Sequence, residues 1–145
     1  MKSYLSLITF SHTVFALPFA IIGFTLGITQ PGAQFLWTDL LLVIACMVFA
    51  RSAAMAFNRY IDADIDKKNA RTAQREIPKG VITPKNALYF VIANAIAFML
   101  CALMLNTLCF YLSPVALLVI LGYSYTKRFT WLCHFILGIG LAYFL

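Results

Sequence analysis

Acidic side chains are scarce in this chain: five, against 11 lysines and arginines, in 145 residues. Charge of either sign makes up 11% of the sequence and hydrophobic residues 63%, which excludes a soluble globular domain and points to a polytopic membrane protein. Cysteine-based metal and redox patterns are missing too. The four cysteines, Cys46, Cys101, Cys109 and Cys133, lie within apolar runs, form no CxxC pair and have no histidine at ligand spacing; they read as buried, reduced packing thiols. No GxxxxGK[ST] occurs, so P-loop nucleotide hydrolysis has no support. The net charge of +6 does not indicate nucleic acid, because the basic residues flank apolar segments instead of sharing a soluble face with stacking aromatics. A cleavable signal peptide is also lacking: only Lys2 precedes the first apolar run, which is too long for an h-region and is interrupted by Pro18.

What is present is a series of apolar segments, each near the roughly 20 residues that a helical span needs. The expected fold class is all-α, a polytopic transmembrane helical bundle with four to five spans in a single unit over residues 1–145. The first span is expected from Ile8 to Ile28, ending at TQPGAQ, where Pro31 and Gly32 break helix. The second is expected from Trp37 to Asn58, with helix continuing toward Asp66; the third from Asn86 to Asn106; the fourth from Phe110 to Tyr123; and a fifth from Trp131. Lys67, Lys68, Arg71, Arg75, Lys79 and Lys85 lie between spans two and three, and Lys127 and Arg128 between four and five. The loops after spans one and three have none, which places the N-terminus and both basic loops in the cytoplasm. The last residues, HFILGIGLAYFL, are apolar with no terminating polar flank, and the expectation is an N-terminal portion of a longer protein.

Three of the five acids fall in one stretch, NRYIDADID, where the second span meets the basic loop. Carboxylates beside hydrocarbon are costly without compensation, which makes the stretch a candidate site. Asn58, Asp62 and Asp66 are four apart, so on a helix each lies about 40° round from the last, while Asp64 points roughly the other way. Such hard oxygen donors suit Mg2+, which takes one or two carboxylates and completes its shell with water and substrate phosphates. A solvated helix end just outside the membrane is the plainer account. An EF-hand loop fails, with Lys67 at the glycine position and Ala73 at the glutamate position. Arg71, Arg75 and Lys79 recur every four residues, and Lys127 and Arg128 lie on the same membrane side; such groups neutralise phosphate oxygens, although topology alone also accounts for cytoplasmic cations.

NRYIDADID followed by ARTAQREIPKG resembles the first aspartate-rich motif of the UbiA superfamily of intramembrane prenyltransferases, N-x-x-x-D-x-x-x-D with a downstream R-T-x-x-R-x-x-P-x-G. GYSYTKRFTWLCH resembles the family's Y-P-x-x-K-R-x-T segment, and SHTVFALPFA its first-span segment. The resemblance implies a bundle, typically of nine spans, in the inner (plasma) membrane, whose cavity holds Mg2+ and a polyprenyl diphosphate beside an aromatic acceptor. It implies metal ligation by Asn58, Asp62 and Asp66, diphosphate and substrate contacts by Arg71, Arg75 and Tyr123, and a catalytic set of Asp62, Asp66, Lys127 and Arg128. The implied reaction moves the prenyl group from diphosphate to an electron-rich ring. The segments are most similar to those of quinone-pathway enzymes that act on 4-hydroxybenzoate, with a menaquinone-pathway enzyme close behind. Three departures stand out: Arg59 where the family often has aspartate, and Glu76 and Ser124 where it has prolines. A second aspartate motif is absent, so these residues are expected to hold half a site. The alternative of another class is a membrane cation transporter or prenyl-lipid binding scaffold without catalysis.

Four further features remain. Arg51 is a diphosphate or aspartate contact, or snorkels to the interface. His12 and His134 line an acceptor pocket or are hydrogen-bonded bundle residues. Trp37 and Trp131 are interfacial anchors. Gly23 and Gly27 match the small-xxx-small pattern of close helix packing.

Overall fold

In hydrocarbon every backbone N–H and C=O must be satisfied within the chain, and helices do this locally. A computed structural model describes residues 10–30 and 34–126, and helix is the regular structure found there. The helices are α1 (Phe10–Ile28), α2 (Trp37–Lys68), α3 (Pro84–Leu105) and α4 (Thr107–Thr126). By length and composition α2, α3 and α4 can each cross a membrane, and α1 carries a shorter apolar stretch, Ala16–Ile28. The expected fifth span lies outside the described residues. The chain is thus a multi-pass helical membrane protein, as its composition requires.

Helix α2 organises the bundle, packing most extensively on α3 and also against α1 and α4. Its 32 residues extend about 48 Å, well beyond a hydrocarbon core of about 30 Å, so its polar C-terminal turns continue past the apolar layer. Small side chains let α2 and α3 approach closely: Ala53, Ala56 and Ala63 of α2 and Ala87 and Val91 of α3 are buried together. Ile77 and Ile82, from the loop between these helices, complete that cluster, with Phe57, Tyr60 and Phe90 at its edge. The loop is therefore part of the core.

Local chemistry sets the ends. Thr83 caps α3, its hydroxyl accepting from the Asn86 N–H at 3.3 Å, and Pro84 occupies the first turn, where a missing N–H costs nothing. Asn106 is the whole connection between α3 and α4. Its backbone is extended, its N–H donates to the Ala102 carbonyl at 3.1 Å, and its Oδ1 accepts from the Leu108 N–H at 3.1 Å. One residue thus ends one helix and caps the next, and α4 starts at Thr107 and runs to Thr126, beyond the expected Phe110–Tyr123 at both ends. At the far end of α2, Phe35 stands edge-on between Phe24 and Trp37, with ring centroids 5.7 and 5.0 Å away. Trp37 is exposed there, as an interfacial anchor should be.

Two expectations are corrected. Gly23 and Gly27 are exposed, and a Cβ at either would meet nothing within 4 Å, so among the described residues they make no close helix contact. Of the cysteines, Cys46 and Cys101 are half-buried and free, but Cys109 is free and exposed on α4. A cysteine needs no partner on a lipid-exposed face, where a small apolar side chain suffices.

Pro114 lies inside α4 and has no N–H to offer the Phe110 carbonyl one turn earlier. The buried Ser113 hydroxyl donates to that carbonyl at 2.8 Å and replaces the missing bond. Ser113→Ala is expected to destabilise the protein by about 0.5–1.5 kcal/mol, measurable by thermal unfolding in detergent. An unchanged unfolding midpoint would show that the hydroxyl contributes nothing there.

Candidate functional site

The polar end of α2 carries the acids in graded burial. Asn58 and Asp62 are half-buried, Asp66 is buried, and Asp64 is exposed. The helix is unbroken through Lys68, so the four-residue spacing does align Asn58, Asp62 and Asp66 on one drifting face. Asp64, on the other side, lines a cavity of about 550 Å3 with Tyr60, Lys67, Ile82 and Tyr125. Lys67 and Lys68 fill the last turn, where cations suit the negative end of the helix dipole.

After Lys68 the chain folds back on the helix that carries the acids. Asn69 starts the turn: its Oδ1 accepts from the Arg71 N–H at 3.1 Å and its carbonyl from the Ala73 N–H at 2.8 Å. The buried Thr72 hydroxyl donates to the Asp66 carbonyl at 3.2 Å, tying the loop to the end of α2. A short helical turn follows and stops at Gly80, whose φ of 75° only glycine adopts freely. The Gly80 N–H donates to the Ile77 carbonyl at 3.0 Å and the Val81 N–H to the Glu76 carbonyl at 2.9 Å, the paired bonds of a Schellman stop. This turn drives Ile77 and Ile82 into the core and fixes the side chains between them and Asn69 over α2.

Two ion pairs join loop to helix. Arg75 Nη1 donates to Asp66 Oδ2 at 2.7 Å. Arg59, on α2, pairs with Glu76, the residue next to Arg75. The Asp66 side chain is 8% exposed, and those of Arg59 and Glu76 are 17% and 14% exposed, so water screens none of the three well. Arg71 and Lys79 are exposed.

Among the described residues, no three histidine, cysteine, aspartate or glutamate side chains converge as a metal cage. Asn58 and Asp62 nevertheless supply an amide and a carboxylate on one face, and Asp66 adds a second carboxylate with one oxygen already engaged by Arg75. A donor set of one or two carboxylates fits Mg2+ completed by water and phosphate better than an all-protein cage. Arg51 sits two helical turns before Asn58, within about 20° of it round α2, and its Nε is buried without a hydrogen-bond partner among the described residues. Tyr123 is half-buried near the end of α4. Lys127, Arg128, Trp131, Cys133 and His134 lie outside the described residues, and nothing is described of the His12 side chain.

Residues 16–145 match the UbiA prenyltransferase family. The chain belongs to that family. Over 107 residues it is 34% identical to a 4-hydroxybenzoate octaprenyltransferase of Aliivibrio fischeri (strain MJ11), covering 74% of this chain and 37% of the relative. A protoheme IX farnesyltransferase of Vibrio vulnificus (strain YJ016) is 34% identical over 117 residues, or 77% of this chain and 37% of that one. The apo structure of a UbiA homolog from Aeropyrum pernix K1 superposes with a TM-score of 0.80 at 38% identity, over 92% of this chain and 47% of that one. The chain thus spans less than half the length of these relatives.

Within the UbiA pattern, the ion pairs add what residue spacing did not reveal. Arg59 and Glu76, two of the three departures from the family motif, are paired with each other. Their opposite signs were the available signal, but seventeen residues separate them and only the fold of the loop brings them together. Ser124, the third departure, is buried within α4 and keeps a backbone N–H where proline would have none.

Proposed function

We propose that this chain contributes the first metal and diphosphate half-site of an aromatic polyprenyltransferase, with 4-hydroxybenzoate as acceptor, in the plasma (inner) membrane with its N-terminus in the cytoplasm. The observation that carries this reading is the aligned, half-buried Asn58 and Asp62 toward the polar end of a spanning helix, on which a loop rich in cations folds back at Asp66 and Arg59. Asn58, Asp62 and Asp66 are the residues that would hold Mg2+. When bound, that ion neutralises diphosphate oxygens and eases departure of the leaving group. Arg51 and Arg71 meet the diphosphate, and Lys127 and Arg128 add positive charge from the end of the fourth span. Tyr123 stands on the acceptor side.

The protein's own work is then positional. It keeps the diphosphate at the polar end of α2, leaves the prenyl chain in the apolar layer, and holds the ring beside the allylic carbon. The carbon–oxygen bond to diphosphate breaks, a ring carbon–carbon bond forms, and the displaced ring proton leaves. Hydrocarbon around the site keeps water from intercepting the cation-like carbon.

The full-length protein in nanodiscs, given a polyprenyl diphosphate and Mg2+, is expected to prenylate 4-hydroxybenzoate. Protoheme IX and a menaquinone-pathway acceptor are the control substrates, since relatives with different named acceptors align with similar identity. Transfer to one of the controls alone would reassign the acceptor. Metal-dependent binding of the diphosphate with no turnover on any acceptor would instead favour a lipid-binding protein.

A further inference from the structure

The two ion pairs under the loop form a pattern that specifies how the loop sits. Arg59 and Asp66 are seven residues apart on α2, two turns, so they share a face and stand about 10 Å apart along the axis. The loop presents Arg75 and Glu76 to them in consecutive positions. Helix and loop each supply one cation and one anion, and the observed pairing matches every charge. If the loop slid so that the partners exchanged, Glu76 would face Asp66 and Arg75 would face Arg59. Two like-charge contacts would then replace two attractive ones in a poorly hydrated place. The Thr72 hydroxyl bond to the Asp66 carbonyl and the burial of Ile77 and Ile82 hold the loop against α2, and the charge pattern adds a penalty specific to the exchanged register.

We propose that the Arg59–Glu76 pair is a register lock, and that Arg59 is a positioning residue for Asp66, acting through Glu76 and the neighbouring Arg75. Its consequence for catalysis rests on the metal reading above. Glu76 is the one loop carboxylate, and it lies beside the cation that holds Asp66. With Arg59 in place, Glu76 is occupied and Arg75 is left to Asp66. Without Arg59, Glu76 competes for Arg75, and Asp66 loses its orientation.

The test is a charge swap in the full-length protein in nanodiscs, comparing Arg59→Glu, Glu76→Arg and the double variant. Each single reversal is expected to raise hydrogen exchange of the amides in residues 69–83, and the Mg2+ concentration for half-maximal transfer, by about tenfold. The double variant sets two anions on α2 opposite two cations in the loop, so both registers are attractive. Its loop exchange is expected to return toward the starting value while the Mg2+ requirement stays raised, with Arg59→Lys between the unsubstituted protein and the single reversals. Unchanged loop exchange in the single variants overturns the lock, as does a double variant whose exchange is no lower than that of the worse single or whose Mg2+ requirement returns to the starting value. If loop exchange follows this pattern while the Mg2+ requirement does not move, the positioning role falls. Absence of any transfer by the unsubstituted protein defeats the functional reading instead, and the exchange measurements still decide the lock.

Discussion

Asp62→Ala is expected to lower Mg2+-dependent prenyl transfer by roughly 100- to 1,000-fold, the scale lost when one preorganised electrostatic contact is removed from a reacting centre. Asp62 is the central member of the aligned set, one turn from Asn58 and one from Asp66, and is half-buried on the same face. The other carboxylate on that face, Asp66, already has one oxygen on Arg75, and Asp64 lies on the opposite side of α2, where it lines the cavity with Tyr60 and Tyr125. Asp64→Ala is therefore the internal control, with activity within a few-fold of the unsubstituted protein. The comparison is made on initial rates across a Mg2+ titration, with helical content checked by circular dichroism. Full activity of the Asp62 variant would remove the aspartate face from the mechanism. Equal losses from Asp62→Ala and Asp64→Ala would point to nonspecific charge effects.

The contrast between these two aspartates was legible in the sequence, because helical periodicity alone separates residues two apart by about 200°. The spans were legible for the same kind of reason: an apolar run of about 20 residues in a sequence this poor in charge has few other destinations. The link at Asn106 was harder to read. The sequence marks Asn106 as the end of the third span, as observed, but not that it is the whole connection: it takes both the extended backbone and the side-chain cap to make one residue serve two helices. The loop was least legible. Its IPKG sequence signals a stop, yet the burial of Ile77 and Ile82 and the two cross-pairs are tertiary outcomes that no local period encodes. The residues were recognised; their partners were not.

Arg75 is where that difference has the largest consequence, because the motif makes it a diphosphate contact and the structure gives it a carboxylate. The two roles predict different losses. As the partner of Asp66, Arg75 compensates a buried negative charge, and Arg75→Ala should cost about 1–3 kcal/mol of stability even in the absence of substrate. Neutralising the stranded charge should recover part of that loss, so Arg75→Ala with Asp66→Asn should unfold at a higher temperature than Arg75→Ala alone. Arg75→Lys should recover less than charge conservation suggests, since a lysine cannot reproduce the geometry of the guanidinium. As a diphosphate contact only, Arg75 would show the reverse: an unchanged unfolding midpoint without substrate, a raised KM for the polyprenyl diphosphate, and no benefit from Asp66→Asn. Thermal unfolding of the full-length protein with and without diphosphate separates these outcomes. A stability loss that Asp66→Asn does not relieve would sink the pairing, because an exposed fraction of 37% leaves Arg75 free to contribute by other contacts. If the coupling is found, Asp66 has one oxygen already committed to the loop, and in the proposed metal site the larger share of ligation would fall to Asn58 and Asp62.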